Sequence, residues 1–304
     1  MIGPLFRSRR HAPRAAPMAA GSRRRIRNIF VDAAELVLVP LARWHRRRLV
    51  LERLRIAIGG LPAAFDGYRI AFLTDPHASP LVPRWWLERA VAAANALGAD
   101  LVALGGDFVD DDPRYAPDVT GIVAPLRAPD GVVAVLGNHD HYVGAVAVRT
   151  ALRAAGVREL LNESVVLTRG TAQLAIGGVG DLEMDAIDFN AALAGVGVAV
   201  PRVIICHDPD VFAYWPADVR CDLMLSGHTH GGQAYLPFIG PPYVPSQFGF
   251  RFLAGAYRDG ARQLYVSRGI GASGVPFRWG CPPELTLVEL TRAGDSPVPH
   301  ARSV

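Results

Sequence analysis

Short apolar runs bounded by glycine and polar residues punctuate this chain, and five of them end in residues that can bind a metal. Ile70-Ala71-Phe72-Leu73-Thr74 leads into Asp75-Pro76-His77, Leu101 into Gly105-Gly106-Asp107, and Val132 into Gly137-Asn138-His139-Asp140. Val203-Ile204-Ile205-Cys206 precedes His207, and Leu223-Met224-Leu225-Ser226-Gly227 precedes His228-Thr229-His230-Gly231-Gly232. Continuous runs of this kind predict strands buried on both faces. Polar residues at the carboxyl ends of such strands converge in a crevice.

The intervening pattern predicts the other elements. Arg84 to Leu97 reads as a helix, started near Pro83 and stopped by Gly98. Gly144 to Ala155 reads as a second helix after the G-N-H-D loop, and Asp188 as the cap of a short helix through Ala194. Arg48 to Ile58 reads as a first strand with Gly59-Gly60-Leu61-Pro62 as its turn. Arg251 to Tyr257 and Arg262 to Ser267 form a hairpin by the Asp259-Gly260 signal, and Leu285 to Leu290 is a last strand. Strands alternating with helices, followed by a strand-rich half, predict an α/β fold.

Charge divides the chain. Residues 1–55 hold 14 arginines against three acids, whereas the remaining 249 hold 18 arginines against 25 acids. The basicity therefore sits in an N-terminal arm (1–47), ahead of a mildly acidic catalytic domain (48–292) and a disordered tail (293–304). Residues 1–27 lack periodicity and read as disordered. From Asn28 to Trp44 the arm is more apolar, but Asp32 and Glu35 interrupt it. It is also shorter than the roughly 20 apolar residues a spanning helix needs. An interfacial helix flanked by Arg23-Arg24-Arg25 and Arg46-Arg47-Arg48 fits better, placing the protein on the inner face of the cell membrane. The alternative is export by a twin-arginine signal, against which the two acids weigh. Three widely spaced cysteines, Cys206, Cys221 and Cys281, do not form a disulfide framework. There is no lysine, which excludes a nucleoside-triphosphate P-loop.

Asp75, His77, Asp107, Asn138, His207, His228 and His230 are too many ligands for one ion and suit two divalent ions sharing a carboxylate. These oxygen and nitrogen donors fit manganese, iron or zinc without choosing among them. Two ions roughly 3.5–4 Å apart can share a hydroxide and polarise a phosphoryl oxygen. The leaving oxygen then needs a proton donor. His139, directly after Asn138, is the candidate general acid, with Asp140 to orient it. Arg268 and Arg278, flanking the glycine-rich stretch Gly269 to Gly274, and His141 are candidate substrate contacts. That stretch is read first as a tight turn. Trp85-Trp86 opens a helix near the metal loops, with packing as its default role.

D-x-H, G-G-D, G-N-H-D, a lone histidine after a strand, and G-H-x-H, in that order, resemble the calcineurin-like metallophosphoesterases from about Arg69 to about Leu290. Pro76 departs from the aliphatic residue usual between the first two ligands; proline is tolerated where a strand ends. Ser226-Gly-His-Thr-His-Gly-Gly-Gln233, Arg268-Gly-Ile-Gly-Ala-Ser-Gly-Val-Pro276 and Pro283-Glu284-Leu285 resemble a bacterial branch. That branch holds membrane-associated phosphodiesterases and enzymes like UDP-2,3-diacylglucosamine pyrophosphatase. The resemblance implies two facing mixed sheets flanked by helices. It also implies one ion on Asp75, His77, Asp107 and His230, and another on Asp107, Asn138, His207 and His228.

The expected function is metal-dependent hydrolysis of a phosphodiester or pyrophosphate, on a membrane lipid or a UDP-diacylglucosamine-like substrate. The alternatives are a nuclease or cyclic-nucleotide phosphodiesterase, and a non-catalytic metal-binding scaffold. An acidic domain is a poor nucleic-acid track, so no nucleic-acid partner is expected. A scaffold would have lost ligands, and all seven are present. The expected partners are the phosphoester substrate and, through the arm, an anionic membrane surface.

Overall fold

The computed structural model describes residues 48–294, apart from 237 and 276, together with the backbone of 302–303. The arm over 1–47, with its expected interfacial helix, lies outside the described residues, as does most of the expected tail. Among the described residues no helix is long and apolar enough to cross a membrane.

The first half runs β1 (Val50–Ile58), β2 (Tyr68–Leu73), α1 (Arg84–Ala96), β3 (Leu101–Leu104), α2 (Ala116–Val123) and β4 (Val132–Ala134). It continues through α3 (Asn138–Val143), α4 (Ala145–Ala154) and β5 (Arg158–Glu159). The second half runs β6 (Glu163–Arg169), β7 (Ala172–Gly178), α5 (Phe189–Ala192), β8 (Arg202–Ile205), α6 (Val211–Tyr214) and β9 (Leu223–Ser226). It closes with β10 (Gly255–Asp259), β11 (Arg262–Val266), β12 (Glu284–Arg292) and β13 (Arg302–Ser303).

These strands make two mixed sheets, in the orders β1-β12-β2-β3-β4-β5 and β13-β10-β11-β9-β8-β7-β6. Period-two alternation decides what each strand faces. Ile70 and Phe72 point between the sheets, meeting Ile176, Val203, Ile205 and Leu225 from the other side. Ala71 and Leu73 point outward, beneath Leu87 and Val91 of α1 and Leu152 of α4. On the far face of the second sheet, Ile204, Met224 and Leu264 are covered by Phe212, Trp215 and Phe252. The ligand-bearing strands are thus buried on both faces, which is why they are apolar throughout.

Register fixes the working end. β2, β3 and β4 run parallel, as do β8 and β9, so all five strands deliver their carboxyl ends to one side. β12 is antiparallel to β2 and parallel to β1, so the chain also enters β1 at that side, where Val50 N–H donates to the Pro283 carbonyl at 2.9 Å.

Several elements differ from the sequence expectation. G-N-H-D is not a loop but the first turn of α3, because the Asp140 carboxylate accepts from the Gly137 N–H at 3.0 Å and holds the helix start. The first strand of the expected hairpin begins at Gly255 rather than Arg251. The β6–β7 hairpin and α2 carry no signal strong enough to predict them.

Candidate metal centre

All seven expected ligands gather at the strand ends, and none is more than 7% exposed. Asp75, His77 and His230 form one group and Asp107, His207 and His228 another, with ligand atoms mutually within 4.8 Å in each. His77 Nε2 lies 3.0 Å from His230 Nε2, and His228 Nδ1 lies 3.2 Å from His207 Nε2. Asp107 joins the groups: its Oδ2 is 3.4 Å from His77 Nε2 and 3.2 Å from His207 Nε2. Asn138 Oδ1 is buried without a hydrogen-bond partner. An orphaned carbonyl oxygen beside converging carboxylates and imidazoles is costly unless a cation meets it. The donor set fits divalent metal.

The backbone is bent to bring these atoms together. Asp75, His77, Asp107, His228 and His230 all have left-handed φ, between 47° and 69°. Such conformations cost about 1–3 kcal/mol each and persist where the surroundings impose them. The motif glycines are set by space. A Cβ on Gly137 would lie 2.3 Å from Asp107 Oδ1 and 2.7 Å from the His207 ring, and one on Gly227 would lie 2.3 Å from Asp75 Oδ2.

Three of the four imidazoles have a partner behind them. His207 Nδ1 lies 2.7 Å from the Gly105 carbonyl, which fixes the proton on Nδ1 and leaves Nε2 as the ligand atom. His77 Nδ1 lies 3.2 Å from Asp110 Oδ1, and that carboxylate also accepts from Ser273 Oγ at 2.7 Å. Asp110, three residues past Asp107, was not among the expected site residues; the second aspartate in G-G-D-F-V-D was the available signal. Burial pushes His230 well below the usual histidine range, helped by His77 and the Arg278 guanidinium, so its ring stays uncharged.

Four expected site residues sit differently from their assigned roles. Asp140 does not touch His139; it accepts from the backbone N–H groups of Asp107, Phe108, Val109 and Gly137 at 2.8–3.2 Å, tying two ligand loops together. Arg278 is buried beneath the centre, with Nη2 3.0 Å from His230 Nδ1 and Nε donating to the Gly271 carbonyl. Arg268 pairs with Glu52 and Glu284, and His141 lies 3.1 Å from Asp185. Neither arginine nor His141 lines the crevice. The glycine-rich stretch is a structural turn: Ile270 and Gly271 donate to the Thr74 and Asp75 carbonyls at 3.0 and 2.8 Å. Trp86 is packing, with its indole N–H on the Ile270 carbonyl, while Trp85 is exposed.

The ligands open into a crevice of about 490 Å³, lined on one wall by His139 and Tyr142 and on the other by Gln233, Pro242, Tyr243 and Val275. His139 donates its backbone N–H to Asp107 Oδ1 at 2.9 Å, and its Nδ1 lies 2.9 Å from the Asp110 carbonyl. Burial alone would lower its ring, but the Asp111 hydrogen bond and the charges of Asp107 and Asp110 outweigh that and push it up to about 9.

Comparison with known proteins agrees with this architecture. Residues 68–232 match the family described as calcineurin-like phosphoesterase. The metallophosphoesterase YkuE of Bacillus subtilis is 32% identical over 235 residues, covering 76% of this chain and 81% of that protein. The phosphodiesterase YaeI of Escherichia coli is 34% identical over 227 residues, covering 73% and 82%. A transmembrane protein with a metallophosphoesterase domain from Danio rerio is 28% identical over 310 residues, covering 96% and 68%. The chain belongs to the calcineurin-like phosphoesterases. It is a metal-dependent phosphoester hydrolase.

Proposed function

We propose that the centre holds two divalent ions and hydrolyses a phosphodiester or pyrophosphate whose phosphate is carried by a membrane lipid. The carrying observation is the position of Asp107 Oδ2, within 3.4 Å of a ligand nitrogen from each histidine group. One ion is assigned to Asp75, His77, Asp107 and His230, the other to Asp107, Asn138, His207 and His228. Bound manganese, iron or zinc would supply Lewis acidity and a water that ionises near neutral pH.

The protein's own groups do the rest. Asp107 and Asp75 bring the negative charge that balances the cations. His139 is the proton donor for the leaving oxygen: with Nδ1 engaged by the Asp110 carbonyl, Nε2 is the position from which a proton can be passed. The surrounding carboxylates strengthen the ring's hold on that proton, and cations bound alongside would oppose them. Asp140 is a positioning residue that fixes the Asp107 and Asn138 loops. The basic arm holds the enzyme on an anionic membrane surface, a reading supported by its arginines and by the transmembrane relative. A lipid-linked or UDP-diacylglucosamine-like phosphoester is the substrate class.

The test is hydrolysis of bis(p-nitrophenyl) phosphate by chelator-treated full-length protein, with manganese, iron or zinc restored separately. Activity abolished by chelation and restored by at least one metal is expected. Activity indifferent to chelation, or none with any of the three metals, contradicts it.

A further inference from the structure

Beside the crevice mouth, residues 234–250 run for seventeen positions without a charged side chain. The tip of this stretch does not fold inward. Phe238 is fully exposed and Ile239 is 75% exposed, with Tyr235, Leu236 and Tyr243 also outside the core. Leu236 and Gly240 close this tip with reciprocal backbone hydrogen bonds of 3.0 and 2.9 Å. Phe238 is held there at φ 66°, an uncommon conformation for a bulky residue and one that keeps its ring outward. Trp279, half-exposed, extends the surface, since Tyr235 N–H donates to its carbonyl at 2.6 Å. A contiguous exposed apolar surface marks an interaction site, and aromatic rings with one polar edge suit the headgroup region of a bilayer.

We propose that this rim is a lipid-docking face, with Phe238 and Ile239 entering the outermost acyl layer and Tyr235, Tyr243 and Trp279 resting at headgroup depth. The inference rests on the lipid-linked substrate reading and adds the surface that presents that substrate. Two further observations favour a bilayer over a second protein. Tyr243 and Pro242 also line the metal crevice, so whatever covers the rim must still deliver a phosphate to it; a headgroup layer does this, and a protein seated there closes the mouth. Residue 48, to which the basic arm is joined in sequence, leads into β1 at this end, where Val50 sits on Pro283, four residues past Trp279. Arginines and apolar rim thereby supply the two separate signals that stable peripheral attachment needs.

The test uses the full-length chain and its F238D/I239D variant in flotation with phosphatidylglycerol-containing vesicles, at low salt and at salt high enough to screen the arm. The variant is expected to partition about tenfold or more weakly, most clearly at high salt, while bis(p-nitrophenyl) phosphate turnover is unchanged. Quenching of Trp279 by brominated lipid, taken as the difference from W279F, is expected in the native chain and absent in the aspartate variant. Equal partition of variant and native chain overturns the proposal and assigns attachment to the arm. A native dimer that the variant lacks, without vesicle binding, overturns it in favour of a second copy. If the aspartates disturb soluble turnover, I239S replaces them and the same partition difference decides. Failure of diester hydrolysis by the native chain sinks the phosphoesterase reading instead, since flotation does not depend on it.

Discussion

The two ligand groups stand side by side but are supported by different materials. Behind Asp75, His77 and His230 stand charged side chains: the Asp110 carboxylate at His77 and the Arg278 guanidinium at His230. Behind Asp107, Asn138 and His207 stands backbone, tied together by one buried carboxylate. The Gly105 carbonyl meets His207, the His139 amide meets Asp107, and four amides are gathered on Asp140. Backbone amides join the groups: that of His228 donates to Asp75 Oδ1 at 3.0 Å and that of His77 to the Asp107 carbonyl at 3.0 Å. Side-chain supports can be altered one at a time. A backbone support changes only when the fold around it changes, so the second group should be brittle where the first is tunable.

The largest effect is expected from Gly137→Ala. Its methyl would overlap Asp107 Oδ1 and the His207 ring, both held by backbone hydrogen bonds. Turnover of a diester should fall roughly 10³-fold or more, about 4 kcal/mol of transition-state stabilisation, with metal lost from the second group. Near-native kinetics would show that this group is not rigid, and the contrast would collapse.

His139→Ala tests chemistry apart from metal binding. Metal content should be unchanged while turnover falls roughly 10²–10⁴-fold, the usual worth of a positioned acid. The deficit should shrink with nitrophenolate leaving groups, which need little protonation. An equal loss across leaving groups would assign His139 another role.

Asp110→Asn probes the tunable side. Removing the charge behind His77 should weaken the first metal site about 10–100-fold and spare the second. Competitive metal titration would resolve this, and equal weakening of both sites would argue against separate supports. The smallest kinetic effect belongs to Arg268→Gln. KM and kcat should stay within about twofold, because the guanidinium pairs with Glu52 and Glu284 rather than facing the crevice. The thermal midpoint should nevertheless fall, since Glu284 is left buried without its cation. A large rise in KM would restore a substrate role for Arg268.

What the sequence revealed follows the same division. The converging acids and histidines were legible because each follows an apolar run, where a buried polar residue calls for a partner. Two facing sheets were legible through the family resemblance. The β6–β7 hairpin was not, because Gly170-Thr171 lacks the strong dipeptide signal that marked Asp259-Gly260. The supporting shell was legible only in part. Arg268 looked free beside a glycine-rich stretch because its partner Glu52 is 216 residues away, and His141 because Asp185 lies 44 residues on. Asp140 follows His139 directly, yet α3 turns its carboxylate back onto the Asp107 loop. Adjacency in sequence says little about which way neighbouring side chains point once a helix begins.

The most direct test of the account is the metal content of the purified chain and of its Asp107→Ala variant, by elemental analysis after loading with manganese or zinc. Asp107 is the one carboxylate shared by both groups. Two ions per native chain are expected, with loss of both, or of most of their affinity, in the variant. One ion in the native chain, or two retained without Asp107, would contradict it.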